Sequence, residues 1–312
     1  MSDKGVRYIK RKEYNNVISV KLVIPSSCNA NCSFCYMKSY KNYSTGSKDF
    51  MNNFITSLSF IIDSIGNKNP ISLDITGNEP TYDIELLKKI LLTLKNFNIK
   101  DKVLRTTITT NGYHIKELIP YFEDVIDYVN ISVHDFRETE RKNILGCNSL
   151  SDSDYISIIS NLKKIGIKTS AVSVIYREID DFHIWKTKFV EWCKQMGFIA
   201  LRFRCDVFWK DNHIFDKYMK KEMEDNDYQI ITYENTPDSH WCRLRRHDGF
   251  RLFFLHGVLD TSILTKGIEY VIAEDGLLYC DFYRRTKITD YEYEIGYIYD
   301  IEKQRRINEV CR

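Results

Sequence analysis

A chain of 312 residues can form one large α/β domain, or one domain with a small appendix, and can bury a sizeable core. Its net charge of only +2 gives no strong sign of a nucleic-acid partner, and we interpret the short basic runs at 7–12 and 243–247 as solvated faces. No apolar run reaches membrane-spanning length and residues 1–5 are polar, so we expect a cytoplasmic protein.

Apolar residues alternate between strand-like and helix-like spacing along the first two-thirds of the chain. This pattern predicts strands at 17–24, 71–76, 103–110, 129–134, 169–176 and 198–205. It predicts helices at 50–65, 84–97, 115–122, 155–165 and 184–196, and a charged helix after the sixth strand that ends at about residue 223. Six β/α units in a row predict an α/β fold, a partial (β/α)6 barrel of parallel strands. Six strands are too few for a closed eight-stranded barrel, and a flat doubly wound sheet stays open as the alternative.

Polar side chains share one face of several predicted strands, because side chains alternate along a strand with a period of two. Asp74, His134, Arg202 and Arg204 all lie on such faces. Helices cover the outside of the sheet, so the polar faces converge on the interior. Buried charges without partners are costly, which favours a wet cavity for a polar ligand. A structural ion-pair network, or strand ends that reach solvent, is the alternative.

Three cysteines follow the first strand with the spacing C-x3-C-x2-C: Cys28, Cys32 and Cys35, with Phe34 directly before the third. Three thiolates can bind three irons of a cubane cluster and leave the fourth iron open to another ligand. Zinc or a structural cluster is the alternative, but zinc loops usually carry a second C-x2-C pair, which this chain lacks. Nine cysteines is an odd count without a signal peptide, so we expect no disulfides.

This spacing, with an aromatic residue at that place, resembles the radical S-adenosylmethionine (SAM) superfamily. The resemblance implies that Cys28, Cys32 and Cys35 ligate a [4Fe–4S] cluster and that SAM completes its fourth iron. It also implies reductive cleavage of SAM to a 5′-deoxyadenosyl radical, which abstracts hydrogen from a substrate, and an electron donor of the flavodoxin or ferredoxin type. Phe34 would shield the cluster and flank adenine, or it would serve only to pack the loop.

The segment Gly77-Asn78-Glu79-Pro80 follows the second predicted strand and is close to the Gly-Gly-Glu-Pro turn of the same family. In that family, backbone groups of the turn hold the amino group of SAM, which requires a close approach of the backbone. Asn78 stands where the family has its second glycine. Asparagine is the other residue that best tolerates left-handed geometry, so we expect the turn to be preserved.

Three weaker segments also resemble family motifs, each at the carboxyl end of a predicted strand, where ligands bind in such sheets. The run Thr109-Thr110-Asn111-Gly112 supplies Thr109 and Asn111 as candidate SAM contacts. Ser132 stands where the family often has a serine that reaches the SAM ribose or carboxylate. Ile175 and Arg177 lie where an apolar backbone commonly flanks adenine.

Short strands and turns replace the β/α pattern after about residue 224, which predicts a small α+β extension at 225–312, behind a core at 16–224 and a segment at 1–15. We expect strands at 228–233, 250–255 and 268–273, a hairpin turn at 274–276 and a closing helix from about 301. The extension resembles the twitch or SPASM type, which usually binds an auxiliary cluster. Its candidate cysteines, which contain no C-x2-C pair and are expected to be buried free thiols, are Cys205, Cys242, Cys280 and Cys311.

The leading functional hypothesis is a radical SAM enzyme for a polar small molecule or nucleotide, with Arg202 and Arg204 suited to a phosphate or carboxylate. Cys242 would line the cavity and return a hydrogen atom to the substrate radical. A peptide maturase is the second hypothesis, although only about fifteen residues precede the first strand, which we expect to leave no room for a leader-binding domain. A non-catalytic iron–sulfur sensor is the third.

The molybdenum-cofactor cyclase branch of the family shares several of these segments, among them the Thr-Thr-Asn-Gly run and an Arg-Phe pair like Arg202-Phe203. That branch carries an auxiliary C-x2-C pair and ends in Gly-Gly. This chain has neither feature, so we expect it to differ from that cyclase.

Overall fold

The computed structural model describes residues 17–35, 49–66, 70–147, 149–206, 209–235, 239–257 and 269–279. Four sequence predictions lie outside the described residues: the N-terminal segment 1–15, the thiols of Cys280 and Cys311, and the closing helix from about 301.

Six β/α units in succession make up the first two-thirds of the chain. Strands β1 to β6 are Ile18–Ile24, Ile71–Gly77, Arg105–Thr110, Tyr128–Ser132, Lys168–Ile175 and Ala200–Cys205. Helices α1 to α8 are Phe50–Phe60, Ile84–Asn96, Ile99–Lys102, Ile115–Phe122, Glu138–Leu145, Asp152–Lys164, Phe182–Met196 and His213–Met223, and a π-helical turn at Ile61–Gly66 extends α1. Strands β7 to β11 follow at Tyr228–Asn235, Ser239–Arg246, Arg251–Gly257, Glu269–Ile272 and Leu278–Tyr279.

The eleven strands found within the described residues belong to one sheet, in the order β11-β10-β1-β2-β3-β4-β5-β6-β9-β8-β7. Strands β1 to β6 pair in parallel, β10 joins β1 in parallel and β9 joins β6 in parallel. On one flank β11 pairs antiparallel with β10, and on the other β8 pairs antiparallel with both β9 and β7. Because β11 and β7 are separate edges, the barrel is open, and the predicted α/β partial barrel is confirmed. The division of the chain at residue 224 stays a prediction.

The two faces of the sheet differ as the alternation of the strands predicts. Ile71, Leu73 and Ile75 of β2 are buried beneath the helices, and Leu201 and Phe203 of β6 are buried on the same side. The opposite, inner face carries polar side chains, since the register aligns Asp74 with Thr107, Thr109 with Asn130, and Val172 with Arg202. The prediction that polar side chains share the inner face is therefore confirmed, and a cavity for a polar ligand there stays a prediction.

Local sequence signals set the ends of several helices. The Asp83 carboxylate caps α2 by accepting a hydrogen bond from the Leu86 amide at 3.0 Å. Ser151 and Asp154 form a reciprocal capping box at the start of α6. These caps satisfy amide groups that the first helical turn leaves without partners. Helix α2 begins where the sequence predicts, whereas α6 begins three residues before the predicted start at 155.

Strand β8 and helix α5 are two of the elements that were not predicted. Strand β8 contains three arginines among its eight residues, and it forms because β7 and β9 pair with it on both sides. Half of the eight residues of helix α5 are charged. Its Arg141 is nevertheless buried, with an ion pair to Asp152 at 2.6 Å and its guanidinium 4.9 Å from the centre of the Trp192 ring. Both elements depend on tertiary contacts rather than on apolar periodicity.

None of the helices within the described ranges combines the length and the apolar character needed to span a membrane.

Replacing Gly77 with alanine should destabilise the fold more than the same change at Gly166. Both glycines have positive φ, 140° and 82°, but a Cβ at Gly77 would lie 2.7 Å from the Ile24 carbonyl oxygen, whereas a Cβ at Gly166 would have no atom within 4 Å. We expect Gly166→Ala to cost about 1 kcal/mol of unfolding free energy and Gly77→Ala roughly 2–5 kcal/mol. Equilibrium urea unfolding measures both, and equal losses would contradict the close approach of β1 and β2.

Candidate active site

The loop that carries the three cysteines leaves the carboxyl end of β1 and is held at two points. The Ser26 hydroxyl donates to the carbonyl oxygen of Glu79 at 2.7 Å, which ties the loop to the turn after β2. The Asn31 amide donates to the carbonyl oxygen of Leu145 at 2.7 Å, which ties it to the end of α5. The loop is therefore positioned by two neighbouring β/α units.

The structure brings Cys28, Cys32 and Cys35 together as free thiols, the first exposed and the other two half-buried. Burial of the sulfur raises the pKa of Cys28 to about 11, and nearby negative charge on Glu79 and Cys35 adds to the effect. Burial raises the pKa of Cys32 to about 12, and its neighbours Cys35 and Cys28 raise it further. Three sulfurs close enough to repel one another as thiolates form a donor set that fits an iron cluster, because bound metal deprotonates such thiols.

A fourth thiol, Cys147, lies beside this loop and was not predicted. The Asn29 side-chain amide donates to its sulfur at 3.6 Å, and the Asn29 side-chain oxygen accepts from Asn111 at 2.8 Å. Burial raises the pKa of Cys147, and its charge raises the pKa values of Cys28 and Cys32. Cys147 follows α5 and belongs to no spaced motif, so nothing in the sequence relates it to the other three.

The turn after β2 is organised around the buried carboxylate of Glu79. It accepts hydrogen bonds from the Thr81 amide at 3.0 Å, the Thr81 hydroxyl at 2.7 Å and the Asn111 amide at 2.6 Å, and also from the Thr110 hydroxyl. Burial raises the pKa of Glu79 although these hydrogen bonds act in the opposite direction. Glu79 therefore joins the turn that contains Gly77 and Pro80 to the end of β3.

The expectation of left-handed geometry at Asn78 is wrong. In this turn the positive φ belongs to Gly77, at 140°, and Asn78 is not among the residues with positive φ. The Asn78 side chain instead donates to the Ser26 carbonyl oxygen at 2.9 Å. An asparagine is therefore accommodated because it adds a hydrogen bond to the cysteine loop.

Phe34 packs between the ends of two strands. Its ring centre lies 4.7 Å from that of His134, which follows β4, and 4.8 Å from that of Tyr176, which follows β5. Burial lowers the pKa of His134 to about 4, and its Nδ1 atom accepts a hydrogen bond from the Val174 amide at 3.2 Å, so the ring is neutral near pH 7. Phe34 thereby fixes the position of Cys35; a contact with adenine stays a prediction.

The remaining predicted SAM contacts lie around the same end of the sheet. Thr109 accepts a hydrogen bond from the Asn130 side chain at 3.4 Å, and Ser132 ends β4 on the inner face. The Ile175 side chain is buried with the helices, so only its backbone can face the interior. Arg177 is exposed, with its guanidinium 5.6 Å from the centre of the Tyr176 ring. The assignment of all four to SAM stays a prediction.

Arg202 and Arg204 lie on the inner face, but Cys242 does not. The register aligns Cys242 with Phe254 and Phe254 with Phe203, which places Cys242 on the helix-covered face, fully buried. Burial raises the pKa of Cys242 to about 12. The expectation that Cys242 lines the interior cavity is therefore wrong, because β8 was not recognised as a strand whose register decides the side.

An open parallel barrel with three cysteines at the carboxyl end of its first strand defines a class of iron–sulfur enzymes in which one iron stays free for a ligand. The Radical SAM superfamily model matches residues 22–189, and the chain belongs to that superfamily. It is accordingly an enzyme of the radical SAM class, with a [4Fe–4S] cluster and SAM as its cofactors.

Relatives and solved structures agree with this family. The chain is 30% identical over 151 residues to a probable GTP 3′,8-cyclase of Sulfolobus acidocaldarius, covering 48% of this chain and 44% of that protein. It is 25% identical over 203 residues to a GTP 3′,8-cyclase of Pasteurella multocida, covering 62% and 57%. The chain thus spans about half the length of the curated relatives it matches.

The crystal structure of Streptococcus suis SuiB bound to S-adenosylmethionine has the same fold. Its TM-score is 0.59 at 13% identity, over 91% of this chain and 65% of that one. This similarity covers more of the chain than the residues matched by the family model.

Replacing Thr110 with valine should destabilise the chain by about 1–3 kcal/mol, because the buried Glu79 carboxylate loses a donor and the Gly112 amide loses an acceptor at 2.8 Å. The matched control is Thr93→Val on α2, which removes an exposed hydroxyl bonded to the Lys89 carbonyl oxygen at 2.9 Å. We expect that change to stay within about 0.5 kcal/mol. Urea unfolding compares the two, and similar small losses would show that Glu79 does not hold the turn.

Proposed function

We propose that the chain abstracts a hydrogen atom from an anionic small molecule or nucleotide bound on the inner face of the barrel. The observation that carries this proposal is a group of arginines on that face. When bound, the cluster and SAM supply the hydrogen-abstracting radical. The chain's own residues hold these cofactors, bind the substrate and orient it.

Arg202 is the centre of the arginine group. Its pKa is lowered to about 10, first by burial and then by the charges of Arg204, Arg105 and Arg251. Its guanidinium lies 4.2 Å from the centre of the Phe253 ring, and its buried Nε atom has no hydrogen-bond partner among the described residues. A positive group held among other positive groups is the arrangement that an incoming anion would stabilise.

The acidic side chains among the described residues do not neutralise the positive charge of these arginines. On the inner faces of β1 to β6 and β9, the acidic residue is Asp74, which already pairs with Lys21 at 2.7 Å. Arg105 donates a hydrogen bond to the Ser72 hydroxyl at 2.9 Å. Because a hydroxyl is neutral, this contact leaves the positive charge of Arg105 uncompensated. Guanidinium groups form paired hydrogen bonds with phosphate and carboxylate oxygens, which makes either group a fitting part of the substrate.

The cofactor-binding roles that we propose follow from position. Cys28, Cys32 and Cys35 would ligate the cluster, and the backbone of the turn from Gly77 to Pro80 would receive the SAM amino group. Both lie at the carboxyl ends of β1 and β2, where ligands bind in parallel sheets. A substrate held by Arg202 on the inner face would present its other end toward this edge.

GTP is the first substrate to test, because the two relatives above are named as GTP 3′,8-cyclases and a triphosphate matches the charge of the arginine group. The structure of SuiB bound to its precursor peptide SuiA shares the fold at a TM-score of 0.52 and 13% identity. A peptide therefore stays the alternative substrate class.

GTP should accelerate formation of 5′-deoxyadenosine by the anaerobically reconstituted enzyme, and inorganic triphosphate should compete with it. Arg202→Gln should raise the KM for GTP at least about tenfold, because a lost charge-assisted contact costs roughly 1.5–3 kcal/mol. Lys95→Gln is the control, since it removes one positive charge from an exposed ion pair with Asp124. We expect the control to leave KM unchanged.

An unchanged KM for Arg202→Gln, at an unchanged basal rate of SAM cleavage, would contradict the arginine assignment. Stimulation by a peptide and not by any anionic small molecule would favour the peptide maturase instead.

A further inference from the structure

Three side chains of the kinds that bind transition metals meet away from the cysteine loop. Asp216 lies in the first turn of α8, His240 in β8 and His256 in β9. The two histidines are directly opposite each other in the register of the antiparallel pair, so their side chains leave the sheet on the same face. Helix α8 brings the carboxylate to this pair.

The distances among the three groups match those of a metal-binding site. The Nδ1 atom of His256 lies 2.9 Å from one Asp216 oxygen, and the Nδ1 atom of His240 lies 3.3 Å from the other. One ligand atom from each of the three residues lies within 4.8 Å of the others. Ligands bound at about 2.0–2.1 Å in a tetrahedron are separated by roughly 3.3 Å, so a cation between these atoms requires only small movements.

The site is supported on one side and accessible on the other. Phe215 of α8 packs against both Phe254 and His256, with ring centres 5.8 Å apart in each case. His256 is only 6% exposed in its side chain, whereas Asp216 is 22% and His240 30% exposed. The packed side fixes the orientation of His256, and the accessible side lets a cation enter and leaves room for a further ligand.

A second cluster of similar composition already contains a positively charged side chain of the protein. His183, Glu222 and Asp225 also place ligand atoms close together. The Lys186 ammonium group lies among them, 2.7 Å from Glu222 and 3.5 Å from Asp225. Among the described residues, by contrast, no lysine or arginine forms an ion pair with Asp216, whose ion-pair partners are the two histidines.

We propose that Asp216, His240 and His256 form a mononuclear site for a divalent transition metal, of which Zn²⁺ is the best match. Two imidazoles and one carboxylate are a ligand set of catalytic zinc sites, which keep a further position open for water or substrate. The open position here would take an oxygen ligand such as water or a carboxylate. This site is separate from the cysteine loop and does not depend on the proposed substrate.

The test is a metal count on the untagged, cluster-reconstituted protein after incubation with Zn²⁺ and gel filtration. We expect about one zinc per chain in addition to about four irons. His240→Ala and Asp216→Asn should each weaken zinc binding at least about tenfold while the iron count stays the same. The matched control is His183→Ala, which removes an exposed histidine from the cluster that Lys186 fills and should leave the zinc count unchanged.

Cobalt supplies a second readout in the Cys28/Cys32/Cys35→Ala chain, where no cluster absorbs light. One Co²⁺ per chain should give visible ligand-field bands that Zn²⁺ abolishes and that are weak or absent in His240→Ala. Circular dichroism checks that the variants at His240, Asp216 and His183 are folded. The proposal is overturned if the enzyme takes up no zinc at millimolar Zn²⁺, or if His240→Ala and Asp216→Asn both still bind zinc. The three residues would then serve only to attach α8 to the sheet by hydrogen bonds.

Discussion

The buried carboxylate of Glu79 is the interaction on which the arrangement of the site depends. Its oxygens accept hydrogen bonds from Thr81 and Asn111, and its backbone carbonyl accepts one from Ser26 in the cysteine loop. One residue thus connects the loop after β1, the turn after β2 and the end of β3. Because an unsatisfied buried carboxylate would be very costly, its four donors and the segments that carry them are held in one geometry.

The inner face of the sheet imposes the second constraint. Helices cover the outer side, so apolar residues such as Phe203 face outward and the guanidinium of Arg202 faces inward. The described sheet has separate edges at β7 and β11, so its strands do not close around these charges. The arginines around Arg202 thus share the inner face of the sheet, where we propose that an anionic substrate binds.

Local patterns in the sequence were sufficient for the six β/α units, the cysteine loop and the turn at Gly77, since spacing and alternation are properties of neighbouring residues. Contacts between distant segments were not predictable in this way. Cys147 reaches the cysteine loop only because α5 packs there, and Cys242 lies outside the cavity because β8 pairs with β9 in one register. The meeting of Asp216 with two histidines likewise requires a helix to cross two strands that the sequence alone does not align.

The most direct measurement is anaerobic reconstitution with iron and sulfide, followed by an assay for 5′-deoxyadenosine after addition of SAM and dithionite. We predict about four irons per chain and formation of 5′-deoxyadenosine, both lost in the Cys28/Cys32/Cys35→Ala variant and both kept in Cys147→Ala. Iron retained by the triple variant would contradict the assignment of the ligands. A cluster that forms on the three cysteines but never cleaves SAM would contradict the account of the site as a whole.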